Sequence, residues 1–120
     1  MKKNEIRRTG GNGRRSGCVA YNGILYTSGI TTVDLQADIA GQAENIFSQL
    51  DRLMAFHNTS KGNILSATVY LKNMADYGAF NAIWDAWITH SEEPARSVVE
   101  ASLALPEYLV KIALTVAMPD

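Results

Sequence analysis

The sequence predicts an α+β domain in which two helices pack on one face of a mixed six-stranded sheet. Three observations predict it. Asn22-Gly23 separates two short apolar-rich segments, two longer stretches repeat apolar residues every three or four positions, and three later segments alternate with a period of two. The expected order is β-β-β-α-β-α-β-β, a pattern that puts both helices against one side of the sheet.

Each element follows from its residues. Asn4 to Arg8 is expected to form a short edge strand, and Gly10 to Gly13 a flexible loop by glycine content. Cys18-Val19-Ala20-Tyr21 and Ile24-Leu25-Tyr26-Thr27 flank Asn22-Gly23, the dipeptide that best tolerates the positive φ angles of a type I′ turn. A hairpin is predicted there. From Asp38 to His57, Ile39, Ala43, Ile46, Leu50, Leu53 and Met54 share one helical face, with Asn58 and Gly62 beyond the end.

Ile64 to Lys72 alternates, with Leu65, Ala67, Val69 and Leu71 on one side and Ser66, Thr68 and Tyr70 on the other. A second helix is predicted from Asp76, as N-cap, through Tyr77, Phe80, Trp84, Trp87 and Ile88. After Pro94, a strand from Arg96 to Leu103 places Ser97, Val99, Ala101 and Leu103 opposite Arg96, Val98 and Glu100. The last strand follows Pro106-Glu107-Tyr108, with Val110, Ile112, Leu114 and Val116 on one face. Its reverse face carries Ala113, Thr115 and Ala117, small residues where a solvated face would carry charges. With both helices committed to the other side, a second copy of the sheet is the expected cover, which predicts a homo-oligomer.

At 120 residues, one domain spanning 1–120 is expected. Hydrophobic residues at 47% and charged residues at 19% leave no room for long disordered tracts. Eleven basic against twelve acidic residues give a net charge of -1, so neither nucleic acid nor an anionic membrane is expected as a partner. The basic residues do gather near the start, at Lys2, Lys3, Arg7, Arg8, Arg14 and Arg15, but glycines rather than an apolar stretch follow, unlike a secretory signal. The single cysteine, Cys18, has no disulfide partner in the chain, and a cytoplasmic location is expected.

Several residues are candidates for chemistry. Arg96 is either a surface salt-bridge residue or a planar fork that grips a carboxylate through two parallel hydrogen bonds. Gly10 to Arg15 lacks the Gly-Lys-Ser/Thr ending of a phosphate loop. His57 and His90 sit at helix ends, where a cation complements the dipole, and Cys18 reads as a small buried hydrophobe. Trp84 and Trp87 fall on the core stripe. Glu100 is either a general base or a solvated or ion-paired strand residue.

Three stretches together resemble the reactive intermediate deaminase family, RidA or YjgF: Tyr26-Thr27-Ser28-Gly29, Ala67-Thr68-Val69-Tyr70-Leu71, and Pro94-Ala95-Arg96-Ser97 followed by Val110-Lys111-Ile112. The resemblance runs in order from residue 14 to 117. It implies a chorismate-mutase-like fold and a homotrimer with clefts between subunits. It also implies hydrolysis of reactive enamines and imines, such as 2-aminoacrylate, to 2-keto acids and ammonia without metal or organic cofactor.

In that family the arginine of Pro-Ala-Arg-Ser binds the substrate carboxylate, and Arg96 stands there; Ser28 matches a cleft-lining position. Three positions depart. Thr115 falls where the best-known enzymes have a cleft glutamate, Val98 where they have a cysteine, and Arg15 where they have a cleft tyrosine. The expected substrate-binding set is therefore Arg96, Ser28, Arg15, Thr115 and Val98, with no residue assigned a catalytic role. The helix around Asn81-Ala82-Ile83-Trp84-Asp85-Ala86-Trp87 looks like a less studied branch of the family. Two functions are expected: an enamine/imine deaminase, or a non-catalytic trimeric binder or sensor of small carboxylates and keto acids.

Overall fold

The computed structural model describes Lys2 and residues 4–120. Six strands and two helices follow in the expected order: β1 (Arg7–Thr9), β2 (Cys18–Tyr21), β3 (Ile24–Thr27), α1 (Ile39–Phe56), β4 (Ile64–Leu71), α2 (Tyr77–Trp87), β5 (Ala95–Glu100) and β6 (Val110–Ala117). They form one sheet ordered β1-β2-β3-β6-β4-β5. Only β4 and β5 run parallel, because α2 carries the chain back across the sheet between them.

The hairpin forms as its turn residues require, with Asn22 and Gly23 at φ 53° and 76° and Tyr21 paired with Ile24. Helix α1 spans the expected stretch and is capped at both ends: the Asp38 carboxylate accepts the Gly41 N–H at 2.9 Å, and His57 closes the C-terminus. Its buried face holds Ala43, Ile46, Leu50 and Met54, and also Phe47 and Gln42. Phe47 stacks on Trp87 at 4.2 Å and 8°, with Phe80 and Trp84 completing an aromatic cluster between the helices. Gln42 is fully buried yet satisfied, donating to the Ala37 and Glu107 carbonyls and accepting from the Leu109 N–H. It ties the entry to β6 onto α1.

Four expectations are corrected. The first strand pairs at Arg7–Thr9 instead of Asn4 to Arg8. In β4 a bulge between Ile64 and Ser66 buries Ile64 and leaves Leu65 48% exposed, so the predicted alternation begins one residue late. Asp76 makes no side-chain cap; Asn73 instead accepts the Ala75 N–H and starts a single 3-10 turn, Met74–Asp76, that leads into α2. Strand β5 stops at Glu100 rather than Leu103, because its only neighbour, β4, ends opposite it at Leu71.

The two faces of the sheet differ sharply. Leu25, Val69, Leu71, Val110, Ile112 and Val116 are fully buried toward the helices, each worth about 1.5 to 3 kcal/mol. Ala113, Thr115 and Ala117 face the other way and are half-buried, beside Tyr26 at 46% and Val99 at 43% exposure. Among the described residues no helix is long and apolar enough to cross a membrane.

Candidate functional site

Arg96 occupies the second position of edge strand β5, in register with Ala67 of β4. Ala67 faces the helices and is buried, so Arg96 points to the same side and reaches α2. There one guanidinium nitrogen donates to Asn81 Oδ1 at 2.9 Å, and the guanidinium carbon lies 4.9 Å from the Trp84 ring centroid. Among the described residues no carboxylate pairs with it. Of the two readings of Arg96, the surface salt bridge is therefore not what the fold builds. A neutral amide and an aromatic face orient the fork and leave its charge uncompensated.

Its strand neighbours are structural. Val98, paired with Val69, is half-buried against the core. The Glu100 carboxylate accepts the Met74 N–H at 2.8 Å through one oxygen, tying the end of β5 to the turn before α2.

A second feature lies beyond the far end of the hairpin. Arg15, Ser28, Gly29, Thr32, Gln49 and Tyr108 are among the residues lining a cleft of about 430 Å³ that contains no acidic side chain. Thr27 fixes the chain leading into Ser28, its hydroxyl accepting from the Leu114 N–H and donating to the Ser28 carbonyl. Gly29 lets the Lys111 side chain lie close against it, since a Cβ there would fall 2.7 Å from that chain and oblige it to move.

The loop that carries Arg15, which includes the glycine-rich stretch Gly10 to Gly13, is hydrogen-bonded within itself. Asn12 Oδ1 accepts the N–H groups of Arg14 and Arg15, Asn12 N–H donates to the Arg15 carbonyl, and the Arg15 guanidinium donates to the Gly10 carbonyl at 2.7 Å. Gly17 closes the loop onto Thr9 and Gly10. No helix begins there, so the phosphate-loop geometry is absent.

Within one chain the five expected binding residues fall in three places. Arg15 and Ser28 share the cleft. Arg96 and Val98 lie on β5, and Thr115 lies on the reverse face of β6, cross-strand from Tyr26 and Ser66. Since β6 and β4 stand between β3 and β5, the Ser28 and Arg96 strands are about 14 Å apart at about 4.8 Å per strand.

Sequence reasoning missed the residues that orient Arg96. The available signal was Asn81, a polar residue one turn before Trp84 beside the apolar stripe, but only the crossover of α2 above β5 assigns it a partner. The histidines do serve helix ends: His57 Nδ1 donates to the Leu53 carbonyl at 2.9 Å and His90 Nε2 to that of Asp85 at 2.9 Å. Cys18 is buried, within 2.8 Å of the Thr9 hydroxyl and 3.7 Å of His57 Nε2. Among the described residues no group of three or more His, Cys, Asp and Glu is gathered closely enough to hold a metal ion.

A mixed β1-β2-β3-β6-β4-β5 sheet with helices on one face, and an edge-strand arginine held clear of any carboxylate, define a small α+β class. The family profile described as Endoribonuclease L-PSP matches residues 8–118. A RutC family protein from Haemophilus ducreyi is 42% identical over 105 residues, covering 88% of this chain and 90% of the relative, and the RutC family protein YoaB of Escherichia coli is 35% identical over 105 residues, covering 88% and 91%. The crystal structure of a YjgF family member from Neisseria meningitidis superposes with a TM-score of 0.94 at 36% identity, covering 99% of each chain. The chain belongs to the RidA/YjgF family.

Proposed function

We propose that this protein is an enamine/imine deaminase, converting reactive 2-aminoacrylate-type intermediates to 2-keto acids and ammonia. The observation that carries the proposal is Arg96, a half-buried, oriented guanidinium with no carboxylate of its own. Each charge-assisted bond to a substrate carboxylate is worth about 1.5 to 3 kcal/mol. The chemistry balances without redox: the enamine tautomerises to the imine, water adds across C=N, and the resulting carbinolamine expels ammonia to leave the ketone. Hydrolysis of this kind needs no cofactor. The formal charge of -1 provides no basic footprint for nucleic acid.

The proposal includes a homotrimer. Ser28 and Arg96 are too far apart in one chain to grip one small molecule, so a cleft using both must be completed by a second copy. The small, uncharged residues of the reverse face, Ala113, Thr115 and Ala117, suit a sheet-to-sheet contact. Sedimentation at micromolar concentration is expected to give three copies of the 13.1 kDa chain; a monomer would remove the shared cleft.

One observation favours a second reading, a non-catalytic trimeric binder or sensor of small carboxylates. Among the described residues no acidic side chain of this chain lines the Arg15–Ser28 cleft, and Thr115 stands where related enzymes place a glutamate, so this side of the cleft supplies no carboxylate to orient water. Turnover separates the two. With iminopyruvate generated enzymatically, a deaminase accelerates its loss at substoichiometric protein, whereas a binder protects or sequesters it only in proportion to the sites added.

A further inference from the structure

We infer that the Arg15 cleft reads a second anionic group, so that the ligands of this protein are 2-imino, 2-enamino or 2-keto dicarboxylates rather than their monocarboxylate counterparts. This rests on the proposed role of Arg96 as the anchor of the first carboxylate, and on the proposed trimer, in which the Arg96 of one copy faces the Arg15 cleft of the next.

Four features of the cleft converge on that class. Arg15 is its only charged lining residue, and no acid in the lining opposes an anion. The guanidinium is exposed but placed: one of its N–H groups is committed to the Gly10 carbonyl, and the Asn12 latch holds the backbone on both sides. Four of its five donors stay available. Ser28 and Tyr108 also line the cleft, and their hydroxyls have no hydrogen-bond partner among the described residues. Finally, about 430 Å³ is more space than a three-carbon acid fills and lies within the ordinary range for small-ligand sites, about 300 to 1,000 Å³.

Size and charge therefore act together. A three-carbon keto acid held by Arg96 has nothing to offer a second guanidinium. A four- or five-carbon dicarboxylate carries its distal carboxylate one or two bonds beyond the third carbon, a second anionic group for the Arg15 fork once a second copy supplies the Arg96 anchor. The same discrimination applies to the proposed reaction, because the distal carboxylate is untouched when water adds to C=N and ammonia departs.

The test is competition calorimetry on the intact protein with pyruvate, oxaloacetate and 2-ketoglutarate as probes, repeated for Arg15→Ala, Arg15→Lys and Arg96→Ala. The dicarboxylates are expected to bind about tenfold more tightly than pyruvate, which is about 1.4 kcal/mol. Arg15→Ala should bring that ratio close to one, and Arg15→Lys should retain part of it. Arg15 is exposed and its loop is latched by Asn12 and backbone groups, so folding should tolerate both changes. Equal affinities in the wild type, or a ratio that survives Arg15→Ala, overturns the inference; if Arg96→Ala still abolishes binding of all three probes, the anchor stands. Undiminished binding in Arg96→Ala overturns the anchor and the inference with it.

Discussion

Arg96 and Arg15 are held in opposite ways. Arg96 sits on a strand, half-buried, its guanidinium fixed by two side chains of α2, while Arg15 sits on a loop, exposed, tied only to backbone carbonyls and amides. The first arrangement puts the cation in a partly desolvated place where its bonds are strong and its geometry is set before a ligand arrives. The second leaves the charge in reach of water and salt, suited to discriminating among ligands rather than to supplying most of the affinity. The contrast teaches that what orients an arginine decides whether it is suited to serve as an anchor.

The largest expected effect tests the platform beneath Arg96. Trp84 is 5% exposed and packs with Phe47, Phe80 and Trp87, so Trp84→Ala should cost about 3 to 5 kcal/mol of stability, read as a lowered denaturation midpoint. A midpoint shift under about 1 kcal/mol would mean that the cluster is not the core it is taken to be. No residue of the Arg15 loop should approach that figure.

Next in size is the guanidinium itself. Arg96→Lys keeps the charge and loses the planar two-bond grip, so affinity for a keto acid should fall by about 1.5 to 3 kcal/mol while the fold survives. Unchanged affinity measured by calorimetry would return Arg96 to the role of a surface residue. Asn81→Ala should do less: the charge remains but the fork must be ordered on binding, at about 0.5 to 1.5 kcal/mol.

The smallest effect sharpens the comparison most directly. Raising salt to about 1 M, where the Debye length is about 3 Å, should shrink the preference for dicarboxylates over pyruvate, because Arg15 is exposed. The part of the affinity that depends on Arg96 should weaken less. Equal salt sensitivity in the two would erase the distinction between anchor and reader.

Much of the fold was legible because its signals are local. Asn22-Gly23 names its turn, Asp38 and His57 bracket α1 by their capping chemistry, and Val110 to Val116 alternates without a break. The misreadings came where a neighbour decided. Leu65 faces outward because of a bulge opposite β6, and β5 stops where β4 stops; neither cause is written in the segment concerned. Asp76 holds the N-cap position of α2 but makes no side-chain bond there, because the 3-10 turn that Asn73 caps runs directly into the helix.

The same division holds for the candidate site. The sequence by itself determined the α+β order, the core stripes, and which residue types are available, with Arg96 and Ser28 in recognisable motifs, because periodicity, turn chemistry and short motifs act over a few residues. Only the tertiary structure decided that Arg96 has Asn81 and Trp84 as partners and, among the described residues, no carboxylate, that Arg15 shares a cleft with Ser28, and that β6 and β4 stand between β3, which leads into Ser28, and the Arg96 strand β5. Those outcomes depend on which strands become neighbours and which way α2 crosses them. Contacts between residues far apart in the chain arise from the packing of whole elements, and no local pattern carries that information.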